Sequence, residues 1–136
     1  MANPSVQEER MLRTGTNPAG WFEIPTRDIE RARTFYERTF GIQLTSHTMG
    51  EYEMLMFPDE RGKPGAGGCL SKGPTSVPCD KGTLLYLNVT SIESVLERAM
   101  RNGGKVVQEK TSIGEHGFFA ILEDPDGNHL GVHMMP

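Results

Sequence analysis

Two histidines stand four positions apart in the C-terminal segment HLGVH, with Gly131 between them. If this segment is a β-strand, His129, Gly131 and His133 point to one face of the sheet because side chains alternate along a strand. A strand rises about 3.3 Å per residue, so the two histidines lie roughly 13 Å apart at the backbone. Zinc needs each nitrogen at about 2 Å, so one ion cannot readily bind both. We therefore expect ordinary hydrogen bonds for these histidines; the alternative is a rebuilt metal site that joins one of them to Glu23 and to a residue such as His47.

Glu23 is a carboxylate in the otherwise apolar segment WFEIP. Alternation places it on the same strand face as Trp21 and Pro25. Burial of a carboxylate is costly unless it is paired or hydrogen-bonded, and burial raises its pKa. Two interpretations remain open: a general base or anchor for a polar ligand group, or a buried structural carboxylate that Tyr86 or a backbone amide satisfies.

Other candidate residues follow from the same alternation. Leu84, Tyr86 and Asn88 share one face of a later strand, and Met54 and Met56 share one face of the segment YEMLMF. Methionines adapt to irregular ligands, although core filling is their commoner role. The candidate ligand-binding residues are Trp21, Glu23, Met54, Met56, Leu84, Tyr86, Asn88, His129 and His133, with Glu23 also the candidate catalytic group.

An internal repeat must position these residues. WFEIPTRDIERARTFYERTFG begins at Trp21, and LLYLNVTSIESVLERAMRNGG begins at Leu84, 63 positions later. Each copy has a short apolar strand, a helix N-cap residue, an amphipathic helix and a closing glycine. The N-caps are Asp28 and Ser91, and the closing glycines are Gly41 and Gly104.

Three strand-like runs follow each predicted helix, so each half of the chain is predicted as βαβββ. The runs are 42–49, 52–57 and 66–72 in the first half, and 105–112, 117–123 and 129–135 in the second. The sequence therefore predicts an α+β fold of two modules, about 20–72 and 82–135, within a single domain at 19–136. Residues 1–18 are polar and unpatterned and are expected to form a flexible arm.

Composition excludes several classes of function. The chain has 136 residues, a net charge of −4 and no block of basic residues, which argues against nucleic-acid binding. It has neither a signal-peptide pattern nor 18 consecutive apolar residues, so a cytoplasmic protein without a membrane partner is expected. In such a reducing compartment Cys69 and Cys79 would be thiols, and no neighbouring base activates Cys69 as a nucleophile.

Two motifs resemble the vicinal oxygen chelate (VOC) superfamily, the glyoxalase/bleomycin-resistance/dioxygenase group. The first is the strand and helix that open at Trp21, with its Asp28-Ile29 and Phe35-Tyr36 pairs. The second is EDPDGNHLGVH, which resembles the closing hairpin of that family. The resemblance implies that the two βαβββ modules form an open, cupped mixed sheet around a cavity, and that a second copy of the chain completes a homodimer.

The resemblance also implies where a metal ion would bind. The matching positions are Trp21 in the first strand, Gly67 or Cys69 in the fourth, Leu84 in the fifth and Gly131 in the eighth. Tryptophan, leucine and glycine side chains cannot bind a divalent cation, so we expect neither a metal nor another cofactor.

The leading functional hypothesis is an uncharacterised glyoxalase-related protein that binds a small organic ligand in its cavity without metal. One alternative is a metal-dependent VOC lyase, isomerase or dioxygenase. Another is a binding protein of the bleomycin-resistance type that sequesters a drug or metabolite.

Overall fold

The structure, a computed structural model, describes residues 11–136. Its first half contains β1 (Trp21–Pro25), α1 (Ile29–Phe40), β2 (Thr45–Met49), β3 (Tyr52–Met56) and β4 (Gly67–Lys72). Its second half contains β5 (Leu85–Asn88), α2 (Ile92–Arg101), β6 (Lys105–Ser112), a short 3-10 turn (Gly114–His116), β7 (Phe118–Glu123) and β8 (His129–Met134). The first ten residues of the predicted N-terminal arm lie outside the described residues, and 11–18 are exposed and form neither helix nor strand.

The strands form two mixed sheets of four strands each. Their orders are β1-β4-β3-β2 and β5-β8-β7-β6, with β1 parallel to β4 and β5 parallel to β8. The predicted α+β fold of two βαβββ modules is therefore confirmed. No helix within residues 11–136 is long and apolar enough to cross a membrane.

The helices begin where the capping residues predict. The Asp28 side chain accepts a hydrogen bond from the Arg31 amide at 3.0 Å, and the Ser91 side chain accepts one from the Ser94 amide at 3.2 Å. Each cap satisfies a backbone N–H that the first turn of a helix leaves free. Gly41 ends α1 with φ of 65°, a left-handed conformation that favours glycine.

The prediction that Gly104 closes the second helix is confirmed for its hydrogen bond, since its amide donates to the Ala99 carbonyl at 2.8 Å, but the left-handed residue is Gly103, with φ of 95°. Helix α2 ends at Arg101, and its C-cap is Asn102. Gly104 also lies at a crowded point between the modules, where a Cβ would be 2.7 Å from the Glu123 carbonyl oxygen and 2.8 Å from the Phe35 ring. Gly104 therefore takes part in helix termination and also allows the close packing of the two modules.

The predicted second strand is also shorter than expected, because β2 begins at Thr45 rather than at residue 42. Leu44, just before it, is buried in a core that both helices share. The centre of that core includes Phe35 and Tyr36 of α1 and Ile92 and Leu96 of α2.

The turn between β7 and β8 joins the two modules. Asp124 is 3% exposed, and its carboxylate accepts four hydrogen bonds. One oxygen accepts from the amides of Asp126 and Asn128, both at 2.9 Å. The other accepts from the Tyr36 hydroxyl of α1 at 2.6 Å and from the Asn128 side-chain amide at 2.9 Å. Asn128 also donates to the Pro25 carbonyl at 2.8 Å, so the turn binds both β1 and α1.

Asp126 binds the segment that leads into α1. Its carboxylate accepts hydrogen bonds from the Thr26 hydroxyl at 2.6 Å, the Arg27 amide at 3.0 Å and the Arg31 guanidinium at 2.8 Å. We call Asp124, Asp126 and Asn128 the inter-module turn. Because the turn fixes the position of β1 against β5 and β8, it sets the geometry of the cleft between the modules.

Candidate functional site

The first module exposes a sheet face on the side away from the helices. In β1, Phe22 and Ile24 pack toward the core, whereas Trp21 and Glu23 lie on the opposite, concave face. Trp21 is 48% exposed, and its indole N–H lies 3.4 Å from a Glu23 carboxylate oxygen. Alternation along this strand is therefore as predicted. Of the two interpretations of Glu23, the buried structural carboxylate satisfied by Tyr86 or a backbone amide is wrong, because the carboxylate is exposed and its partner is Trp21.

Cys69 lies beside Glu23 in the parallel β1–β4 register. It is fully buried, and burial together with the negative charge of Glu23 raises its pKa to about 11. At neutral pH the side chain is therefore a thiol rather than a thiolate nucleophile. Met54 and Met56 of β3 are half-buried on the same concave face, where Met56 is in register with Cys69.

The second module holds an aromatic ring at the corresponding place. Tyr86 is opposite Gly131 in the parallel β5–β8 register, just as Glu23 is opposite Cys69. A Cβ on Gly131 would overlap the Tyr86 ring. The ring therefore lies flat across β8 because Gly131 has no side chain. Its centroid is 6.4 Å from that of Phe119, with the two rings inclined by 63°.

The two histidines of β8 have separate partners. His129 Nε2 is 3.1 Å from the Glu123 carboxylate, and His133 Nε2 is 2.7 Å from the His116 carbonyl oxygen. His47 of β2 is exposed on the first module and is hydrogen-bonded to neither. These contacts are the ordinary hydrogen bonds that the spacing argument predicts for His129 and His133.

A cleft of about 450 Å³ lies between the modules. Five of the predicted ligand-binding residues line it: Trp21, Glu23, Leu84, Tyr86 and His129. A second depression, of about 480 Å³, lies on the concave face of the second module and is lined by Tyr86, Asn88, Ile113, Phe119 and His133. Met54 and Met56 line neither cavity, so the structure separates them from the other predicted residues.

Ile113 and Phe119 are residues that sequence reasoning missed. Phe119 follows Phe118 in the sequence, and alternation alone assigns one of the pair to each face without saying which is concave. The register with β8, where Phe119 is opposite His133, decides the assignment. Ile113 lies after β6, where no periodic pattern applies.

The comparisons with known proteins match this architecture. The profile of the Glyoxalase/Bleomycin resistance protein/Dioxygenase superfamily matches residues 19–132. The chain belongs to this superfamily. A glyoxylase-like domain-containing protein of Didymella fabae is 32% identical over 125 residues, which cover 84% of this chain and 91% of that protein. A putative glyoxylase, CFP32, of Mycobacterium bovis is 29% identical over 134 residues, which cover 96% of this chain but only 48% of that protein.

Solved structures show the same fold. TnmS3, an antibiotic binding protein from Streptomyces sp. CB03234, aligns with a TM-score of 0.66 at 23% identity and covers 91% of this chain and 100% of its own. Glyoxalase I from Zea mays aligns with a TM-score of 0.65 at 20% identity and covers 90% of this chain and 48% of its own.

The metal ion that the superfamily implies does not fit these residues. The strand register makes Cys69 the counterpart of Gly131, and Cys69 is a buried thiol with a raised pKa. The Tyr86 ring covers Gly131, and Trp21 and Leu84 have no metal-binding atoms. Within residues 11–136, no three His, Cys, Asp or Glu side chains come together in an arrangement that could hold a metal ion.

Proposed function

We propose that the protein binds a small organic molecule on the concave surface of its two modules, through side chains alone and without a metal ion or other cofactor. The observation that supports this most directly is the pairing of Tyr86 with Gly131. It puts an aromatic surface where a metal-binding carboxylate would otherwise stand. The cleft of about 450 Å³ has the size of ordinary small-molecule sites.

Each side chain of the cleft has a distinct part in this proposal. Trp21 and Tyr86 are 48% and 45% exposed, so both offer apolar ring surface to a ligand. Glu23 supplies the negative charge that orients a donor group, because the long contact with Trp21 leaves acceptor capacity on the carboxylate. For a catalytic role, Glu23 is the group that we propose as general base.

Sequestration of a drug or metabolite is a second candidate, because the full length of an antibiotic binding protein aligns with this chain. Binding alone needs shape and stacking surface, and no residue in reactive geometry. Turnover of the bound molecule would distinguish an enzyme from a sequestering protein.

We further propose a homodimer that covers the concave faces. Apolar side chains are exposed there and at the end of β2, where Met49 is 60% exposed. Exposed apolar surface of this kind is typical of interaction sites.

We also propose that residues 19–136 form one domain. We propose a cytoplasmic setting for it, because Cys69 and Cys79 are unpaired thiols and thiols persist in a reducing compartment.

Metal analysis tests the absence of a metal ion. We expect tag-free protein to carry well under one equivalent of Zn, Ni, Mn or Fe by plasma mass spectrometry. We also expect a chelator to leave the melting temperature unchanged, because no bound ion would stabilise the native state. Stoichiometric metal that withstands dialysis would contradict the proposal and favour a metal-dependent lyase, isomerase or dioxygenase.

Light scattering after gel filtration tests the dimer. We expect a particle of twice the 15.1 kDa chain mass at micromolar concentration. We also expect the Trp21 emission to shift to longer wavelength on dilution, as the half-exposed indole loses its partner surface. A monomer at all concentrations would refute the homodimer but would leave the ligand proposal in place.

A further inference from the structure

The depression on the second module has walls that restrict the ligands it could take. Its volume of about 480 Å³ is within the range of small-molecule sites. Two of its walls are the rings of Tyr86 and Phe119, which meet edge to face. Ile113, 40% exposed, contributes an aliphatic wall. A flat ring can contact all three side chains.

The same depression, called the pocket below, also has two neighbouring polar groups. Asn88 and His133 are in register across β5 and β8. His133 Nε2 lies 2.7 Å from the carbonyl oxygen of His116, and a carbonyl can only accept, so Nε2 carries the hydrogen. In the neutral ring Nδ1 is then a free acceptor, and the Asn88 amide offers both a donor and an acceptor.

The five lining side chains include no carboxylate, lysine or arginine. A charged group would find no permanent opposite charge among these side chains, and where the aromatic walls cover it the group would lose hydration without compensation, which is unfavourable. A hydroxyl group, by contrast, donates to one acceptor and accepts from one donor, which matches His133 and Asn88.

We infer that this pocket binds a neutral, planar aromatic ring that carries a hydroxyl group, and that Tyr86 determines this specificity. The inference rests on the proposed function, places the ligand in the depression of the second module rather than in the cleft beside Glu23, and names the class of that ligand. The Tyr86 ring can lie flat across β8 only because position 131 is a glycine. Gly131 therefore both lacks a metal-binding side chain and makes room for the aromatic wall. A side chain at position 131 would displace the ring and close the flat surface.

Three naphthalene probes of matched shape test the ligand class: 2-naphthol, 2-naphthoate and 2-naphthylmethylammonium. Calorimetric titration should give 2-naphthol a dissociation constant at least 10-fold lower than that of either charged probe. The Ile113 methyl resonance should shift as 2-naphthol saturates the protein, because that side chain borders the pocket.

Variants test the role of Tyr86. Tyr86→Leu should weaken 2-naphthol binding at least 10-fold, and Ile113→Ala, at an exposed position that tolerates truncation, should weaken it about 3-fold. Tyr52→Leu is the matched control, because Tyr52 also covers a glycine, Gly73, but in the first module. Its affinity for 2-naphthol should equal that of the natural chain.

Equal binding of all three probes, no binding of 2-naphthol, or equal losses in Tyr86→Leu and Tyr52→Leu would each overturn the inference. The proposed function fails on a different result, stoichiometric metal, so the two can be separated.

Discussion

Replacing Asp124 by asparagine is expected to lower the free energy of unfolding by about 3–5 kcal/mol, because two buried donors would each lose their acceptor at a cost of roughly 1–3 kcal/mol. The Asp124 carboxylate is the acceptor in all four of its hydrogen bonds. The donors are two backbone amides, the Tyr36 hydroxyl and the Asn128 side chain. Asparagine has the same shape, but in either orientation its NH₂ group faces two donors. The melting temperature should fall by roughly 10–20 °C in differential scanning calorimetry.

Tyr36→Phe is the matched control for Asp124→Asn. It keeps the ring packed against Phe35, Phe40 and Phe57 and removes only one donor to the carboxylate. The expected loss is about 1.5–3 kcal/mol, that of one hydrogen bond to a charged group. Because the two residues share a bond, the double variant should lose less than the sum. A loss below about 1 kcal/mol in Asp124→Asn would mean that the turn does not hold the modules together.

The pH dependence gives an independent check on the same carboxyl group. Burial raises the pKa of Asp124 above its ordinary value, although hydrogen bonds from Tyr36 and Asn128 act in the opposite direction. Because the pKa is higher in the folded than in the unfolded state, the folded chain binds the proton more tightly, and this contribution to stability is lost as the pH rises through the raised pKa, above which Asp124 is the carboxylate that accepts the four hydrogen bonds. The stability gap between the natural chain and Asp124→Asn should widen as the pH falls from 7 toward 4. A gap that narrows would show that the folded-state pKa is lowered instead.

Local patterns in the sequence identify the modules and the faces of their first strands. The N-caps Asp28 and Ser91 depend on contacts within three residues, and alternation assigns Trp21 and Glu23 to one face. Such features are encoded over short stretches of chain, so one sequence is enough to predict them.

Features that depend on distant pairing could not be predicted in this way. The EDPDGN segment is a local turn, as predicted, and the Gly127 amide donates to the Asp124 carbonyl at 2.9 Å. Its bonds to Thr26 and Tyr36 join residues 100 and 88 positions away. The position of the Tyr86 ring above Gly131 likewise depends on the β5–β8 register, which cannot be predicted from local patterns in one sequence. The residue types were visible, but their juxtaposition was not.

Gly104 has a packing role that the repeat alone does not predict. By analogy with Gly41, the sequence predicts a helix terminator, and the Gly104 amide does donate to the Ala99 carbonyl. The structure also places Gly104 against Phe35, which is fully buried. The nearest atoms to a Cβ there include backbone oxygens of Glu123 and Ala99, at 2.7 and 3.1 Å, which cannot rotate away as a side chain can. An added methyl group must therefore push the chains apart.

Gly104→Ala is accordingly expected to lower the free energy of unfolding by about 3 kcal/mol, the upper part of the usual cost of overpacking. Gly20→Ala is the control, because Gly20 has open space around its Cβ position and no left-handed φ. That variant should be neutral or stabilised by up to about 1 kcal/mol, since alanine reduces the entropy of the unfolded chain. Urea unfolding of both variants measures the two changes in the free energy of unfolding. If Gly104→Ala matches Gly20→Ala, the contact with Phe35 and Glu123 is loose; a large loss confined to Gly104→Ala means that the modules meet there without room for one methyl group.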